Sequence, residues 1–289
     1  MQQILLDTDL GNDVDDLIAI SMLCNWHIIQ KHRMIGATSS KEGVLSGKLL
    51  AWLLAYYDVQ IPVGYCPKGA LQPKQKYLER LPDLQEHYPD VEPQETHPAI
   101  DVLNNVLQRA DDQSITLIMI GNSTNIAHML DTPEKSTLLH QKIRKIVWLA
   151  GEFDRAYAEN NIRVDAPHSH IIFNKWLGPM DLLPSAIGKK VLFPGHHLVD
   201  RTEPLPMLYH DYMKRGWGRE CWDPLTVLYA CGEGEDLFTK SPAGTVTLDD
   251  NEITEFQETP NGQHHIINLL DSQAIRAEAL RRIRQATIL

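Results

Sequence analysis

Apolar and polar positions along the chain fall into alternating blocks. Residues 3–6 (QILL) form a short apolar run that ends in aspartates. Leu17, Ile18, Ile20, Met22 and Leu23 then recur at helical spacing, with acids at the helix start where the backbone dipole favours negative charge. This predicts a strand, a loop and a helix. Apolar runs rich in β-branched residues at 33–39, 115–121, 145–151 and 189–195 predict further strands, each ending in glycine or small polar residues. Helical patterns lie at 43–57, 98–109, 124–131 and 166–176, and a last helix at 272–286. Strands alternating with helices build parallel βαβ units. The expected fold is therefore α/β, a mostly parallel open sheet with flanking helices, in one domain spanning 1–289.

Two stretches break the alternation. Residues 66–97 carry five prolines and many charges, the pattern of a lid, a substrate loop or a surface excursion. Residues 195–222 read as a second long loop with an amphipathic piece. Near the end, TVTLDDNEITEFQ (245–257) alternates as one or two antiparallel strands. In open α/β sheets ligands bind beyond the carboxyl ends of the strands. The aspartates after the first strand, Ser39 and Ser40, residues 122–125 and residues 151–154 should thus gather at one rim.

Composition narrows the functions. The chain has 289 residues, 43% hydrophobic, with 38 acids against 27 Lys and Arg and a net charge of −11. That balance argues against nucleic-acid partners, which need phosphate neutralisation by a basic surface. The short KIRK run (142–145) reads as a solvated helix end. Cys24, Cys66, Cys221 and Cys231 form no CxxC pair, which suits a reducing cytoplasm. No apolar stretch is long enough to span a bilayer, and Asp7 and Asp9 interrupt any leader-like start.

The chemistry concentrates in ILLDTDLGNDVDD. Asp7, Asp9, Asp13, Asp15 and Asp16 place five carboxylates within ten residues, directly after a strand. They repel one another unless solvated or neutralised by a cation, and hard oxygen donors suit Ca²⁺ or Mg²⁺ better than zinc. An EF-hand does not fit, because the twelfth loop position counted from Asp7 is Ile18. A DxD after the first strand also matches haloacid-dehalogenase-type phosphatases, but their Gly-Thr type turn is absent here.

Three later segments extend the pattern in order. ITLIMIGNSTNIAHML supplies Gly121, Thr124 and Asn125; WLAGEFDRAYAENNIRVDAPHSHIIF supplies Glu159, Asn161 and Asp165; CWDPLTVLY supplies Trp222 and Asp223. Taken alone, Thr124 and Asp223-Pro224 read as helix caps, and Glu159 and Asn161 as loop residues. Together with the aspartate run, these segments resemble the nucleoside hydrolase family of the inosine–uridine type, from residue 3 to about 230. Leu10 replaces the family's proline, and the spacer between Gly11 and the paired acids is longer.

The resemblance implies a Rossmann-like fold and hydrolysis of a ribonucleoside N-glycosidic bond. It implies Ca²⁺ held by Asp9, by one or both of Asp15 and Asp16, by the main-chain carbonyl of Thr124, and by Asp223. Asp9 would also be the general base for water. Asp13 or Asp15, Glu159 and Asn161 would bind the ribose hydroxyls. Trp222 stands where many members carry histidine, and an indole stacks on a purine. Family members are commonly homodimers or homotetramers. Tyr157 and Arg155 are further pocket candidates, and His168, His170, His196 and His197 lie near the same rim. The alternatives are a non-catalytic, metal-stabilised nucleoside or sugar binder and the phosphatase.

Overall fold

A computed structural model describes residues 1–70, 76–198, 203–213 and 218–287. The first strand, β1 (Gln2–Thr8), is central, and its side chains alternate between two cores. Ile4 and Leu6 enter one apolar cluster and Leu5 the other, on the opposite face. Burial on both faces is why this strand reads as a continuous apolar run rather than an alternating one.

The remaining strands follow as β2 (His32–Glu42), β3 (Val63–Cys66), β4 (Thr96–Pro98), β5 (Ile115–Ile120), β6 (Ile143–Leu149) and β7 (Met180–Leu183). After them come β8 (Leu192–Phe193), β9 (Arg219–Glu220), β10 (Phe238–Lys240), β11 (Gly244–Leu248), β12 (Thr254–Glu258) and β13 (His264–Leu269). The large sheet has the order β12-β11-β13-β7-β6-β5-β1-β2-β3-β4, with β10 paired to β13. From β13 to β4 every neighbouring pair is parallel, and the far edge is antiparallel. The chain runs outward from β1 through β4, then crosses to β5 on the other side of β1. That reversal opens a crevice beyond the ends of β1 and β5, where open α/β sheets bind ligands.

Helices cover both faces, as at Asp15–Ile28, Val44–Tyr56, Ala99–Arg109 and Trp222–Ala230. The Asp15–Ile28 helix is buried over most of its length because it lies between the sheet and the Trp222–Ala230 and Gln273–Ala286 helices. It stops at Gln30, whose φ of 57° turns the chain, and the Lys31 N–H closes on the Trp26 carbonyl at 2.8 Å. Among the described residues, no helix is long and apolar enough to cross a membrane.

The strands expected at 3–6, 33–39, 115–121 and 145–151 are present, as are the main helices and the antiparallel pair within 245–257. The strand expected at 189–195 is a correction. Only Leu192–Phe193 is extended, and it pairs with Arg219–Glu220 in a separate two-stranded sheet. The strand that continues the large sheet is Met180–Leu183 (MDLL), too short and too poor in β-branched residues to show as a pattern. Its Asp181 is held by Lys145 at 3.1 Å and Lys240 at 2.9 Å. The 66–97 stretch contains helix Leu81–His87, and 195–222 contains helix Pro204–Met213. Parts of both stretches, 71–75, 199–202 and 214–217, lie outside the described residues.

Gly121 brings the ends of β1 and β5 together. A Cβ there would lie 2.5 Å from the Asp9 backbone nitrogen and 2.7 Å from the Thr8 carbonyl carbon. Neither is a flexible side chain. Gly121→Ala is therefore expected to destabilise the protein by about 1–3 kcal/mol, read as a lower urea midpoint at unchanged slope.

Candidate active site

The acidic loop is shaped by one turn and one tyrosine. Gly11 sits at φ 105°, and a Cβ there would strike Leu78 at 2.5 Å. The buried Tyr77 hydroxyl accepts from Gly11 N–H at 3.0 Å and donates to the Asp13 carbonyl at 2.6 Å. The excursion 76–87 thus clamps the loop between β1 and its helix. Asp13 itself turns away and is gripped by Arg219, whose Nε lies 2.8 Å from Oδ1 and whose Nη2 contacts Oδ2. Burial opposes the guanidinium's charge, yet the Asp13 bonds hold its pKa above the usual arginine value.

Three other acids converge. Asp15, Asp16 and Asp223 are all buried and present ligand oxygens within 4.8 Å of one another. Asp15 Oδ2 accepts from the Asp223 N–H at 3.0 Å, and Asp16 Oδ1 accepts from the Thr8 hydroxyl. Asp16 Oδ2 is buried with no hydrogen-bond partner. Asp9, 5% exposed, lines the same cavity and accepts from Asn12 Nδ2 at 3.1 Å.

Burial, then repulsion from neighbouring acids, pushes Asp15, Asp16 and Asp223 well above the usual carboxylate range. An orphaned carboxylate oxygen inside a cluster of hard oxygen donors fits a divalent cation. Lys41, only 2% exposed, brings its amine near Asp9 and Asp16. Burial draws its ammonium below the usual lysine value, and those two acids oppose the shift.

The cavity above these acids has a volume of about 530 Å³, within the range of small-molecule sites. Glu159 and Asn161 form its wall at the end of β6 and the start of helix Asn160–Val164. Glu159 Oε2 caps that helix, accepting from Asn161 N–H at 3.0 Å and Ile162 N–H at 3.3 Å. Burial raises its pKa to about 7 despite those bonds. Asn161 donates Nδ2 to the Leu149 carbonyl at 2.9 Å, which leaves Oδ1 for a ligand. Trp222 donates Nε1 to the Ser185 carbonyl at 2.8 Å, lies against Gly188, and carries the Arg219 guanidinium 4.9 Å from its ring centre.

The cavity lining therefore brings together Asp9, Asp13, Asp15, Asp16, Glu159, Asn161, Trp222 and Asp223. Thr124 is not part of it. Its hydroxyl donates to Asp165 Oδ2 at 2.5 Å, and the residue from β5 that lines the cavity is Ile120. Ser123 and Cys221, rather than Thr124 and Asp223, occupy the helix N-cap positions. Tyr157 lines the cavity and Arg155 does not. His168 bonds Asp165 at 2.6 Å outside the cavity lining.

Sequence reasoning missed Arg219 and Lys41. Arg219 lies three residues before Trp222, and Lys41 directly follows Ser40, but neither position alone announces a partner far along the chain. Asp7, the nucleophile position of the phosphatase reading, is fully buried, takes Asn125 Nδ2 at 2.7 Å and lies outside the cavity lining. It is not placed to attack a phosphate.

The sheet order, the acidic crevice and the Glu159–Asn161 wall agree with a whole-chain relationship. The model of the inosine-uridine preferring nucleoside hydrolase family matches residues 4–275, so the chain belongs to that family. It is thereby an enzyme of the glycosyl-hydrolase type, acting on nucleoside N-glycosidic bonds. A plant nucleoside hydrolase, PpNRh1, superposes with a TM-score of 0.72 at 19% identity, covering 99% of this chain and 98% of its own. The inosine-uridine preferring nucleoside hydrolase of Bacillus anthracis gives 0.74 at 17% identity, covering 99% and 100%. The type III effector protein XopQ, solved with adenosine diphosphate ribose, gives 0.71 at 11% identity, covering 99% and 94%. No curated protein matches the sequence.

The raised carboxylates give a pH signature. In the metal-free protein the native state keeps protons that the unfolded state releases, so this cluster's contribution to stability falls as pH rises above the ordinary carboxylate range. A divalent cation replaces those protons. The rise in Tm on adding Ca²⁺ should therefore be larger at about pH 8 than at about pH 5. Equal shifts, or none, would dissociate the three acids from cation binding.

Proposed function

We propose that this chain is a Ca²⁺-dependent hydrolase of a purine ribonucleoside or related ribosyl compound, with Asp9 as general base. The observation that carries the reading is the convergence of Asp15, Asp16 and Asp223 within 4.8 Å, in a cavity shared with Asp9, Glu159, Asn161 and Trp222. Asp9, Asp15, Asp16 and Asp223 would hold the ion; the main-chain carbonyl that the family resemblance gives to Thr124 belongs to a residue outside the cavity lining, where Ile120 represents β5. When bound, the cation supplies positive charge to the carboxylates and acidifies water.

Asp9 takes a proton from the attacking water, its carboxylate oriented by Asn12 at 3.1 Å. Water oxygen bonds to the anomeric carbon as the bond to the base nitrogen breaks, and the base leaves with the bonding pair. The carboxylate-rich floor favours the positive charge that develops on the sugar. Glu159 and Asn161 hydrogen-bond ribose hydroxyls, Asn161 through the Oδ1 left over by its Leu149 bond. Asp15 serves both ion and sugar. Asp13 takes part through Arg219, which holds its carboxylate at the rim.

The purine assignment rests on the flat walls of Trp222, Tyr212 and Tyr157 in the same cavity. The proposal extends to a cytoplasmic homodimer or homotetramer; four buried cysteines, all free, suit a reducing compartment.

Two measurements test this. Asp9→Ala should lower reducing-sugar release from a purine nucleoside panel with Ca²⁺ by at least about a hundredfold. Unchanged turnover removes Asp9 as the base; binding of nucleosides by the wild type without any release would mark a non-catalytic binder. Trp222→Ala should raise KM for purine nucleosides more than for pyrimidine nucleosides, by roughly tenfold if stacking contributes about 1–1.5 kcal/mol.

A further inference from the structure

The charged side chains around the cavity divide by depth. Asp9, Asp15, Asp16, Glu159 and Asp223 are all buried on the floor and walls. The partly or fully exposed charges in the lining are Lys76, Arg163, Lys189, Arg219 and a single acid, Asp13. Asp13 is already paired with Arg219. In a chain with 38 acids and 27 bases, a cavity mouth whose other exposed charges among the described residues are all cationic runs against the bulk composition.

Among the described residues, Arg163 and Lys189 have no carboxylate partner. Arg163 bonds only the neutral Asn160 Oδ1, at 3.2 Å, and Lys189 is exposed with no ion pair among the described residues. They reach the mouth from separate elements. Arg163 lies on the helix that begins at the Glu159 cap, and Lys189 follows Gly188, whose backbone packs on Trp222. Cations at the mouth of a cavity raise the local concentration of an anion and steer it inward. Guanidinium and ammonium groups together suit phosphate or carboxylate oxygens.

We propose that the ribosyl substrate carries a negative charge outside the ribose ring, and that Arg163 and Lys189 read it. The inference rests on the cavity being a ribosyl site, and it names the substrate class: a nucleoside phosphate, or a nucleoside whose base bears an acid. The neutral sugar sits on the acidic floor while the anion stays at the mouth. Cation at the floor and substrate anion at the rim are then each matched by opposite charge.

The test compares inosine, inosine 5′-monophosphate and a nucleoside with a carboxylated base, with Ca²⁺, by sugar or sugar-phosphate release and by calorimetric binding. A kcat/KM at least about tenfold higher for either anionic compound than for inosine is expected, shrinking with added salt. Which one wins tells whether the charge is on the sugar or the base. In Arg163→Gln/Lys189→Gln, that preference ratio should collapse toward one, with Tm unchanged because both side chains are exposed. Inosine cleaved as well as or better than both anions, or a ratio unmoved in the variant, overturns the proposal while the ribosyl-hydrolase reading stands. Neither binding nor cleavage of any of the three overturns the ribosyl reading and this inference with it.

Discussion

Packing several carboxylates into a crevice where water is scarce is the constraint around which the molecule is arranged. Asp7, Asp9, Asp15, Asp16 and Asp223 are all nearly or fully buried within reach of one another's fields. Leaving such charges unpaired in a protein interior costs several kcal/mol each. The fold answers each acid differently. Asp7 becomes structural, hydrogen-bonded by Thr38 and Asn125 and raised by burial to about 7. Asp13 is drawn outward onto Arg219. Lys41 brings a buried amine close to Asp9 and Asp16, and Asp15, Asp16 and Asp223 remain as a set that could hold a metal ion.

The surrounding architecture keeps this set in place. Gly121 lets β1 and β5 close to backbone contact, so the crevice at the sheet's reversal is narrow. Tyr77 ties the acidic loop to the excursion that covers it, and the Asp223 N–H fixes the Asp15 carboxylate from a residue 208 positions later. Arg219 joins that tie to the cavity wall, since the guanidinium that holds Asp13 also lies over Trp222. Trp222 is consequently held in place by contacts with the Arg219 guanidinium and the Gly188 backbone, with its N–H spent on Ser185. It can offer a flat apolar surface to a base, but its only proton donor is occupied.

Much of the fold was legible because local patterns coincide with tertiary ones. β1 and β5 are buried on both faces and therefore appear as unbroken apolar runs. Met180–Leu183 escaped notice because four residues carry no period, and its Asp181 looks like a surface acid until Lys145 and Lys240 reach it. The run at 189–195 misled for the opposite reason: its composition suits a strand, but the sheet position is already taken by β7 and β13. In the site, Asp9, Glu159, Asn161 and Asp223 could be named from motif order. Thr124 was named for its main-chain carbonyl; its hydroxyl bonds Asp165, and the β5 residue in the cavity lining is Ile120.

The aspartate run, its place after a strand and the order of the later motifs belong to the sequence alone. They identify the family and point to a metal site, because clustered carboxylates repel one another unless they are solvated or neutralised. Which acid is free, which is paired and which cations stand at the mouth was decided only in three dimensions. Asp13 and Arg219 are 206 residues apart and Asp15 and Asp223 are 208 apart, and spacing along a chain cannot report a distance that the sheet's reversal creates.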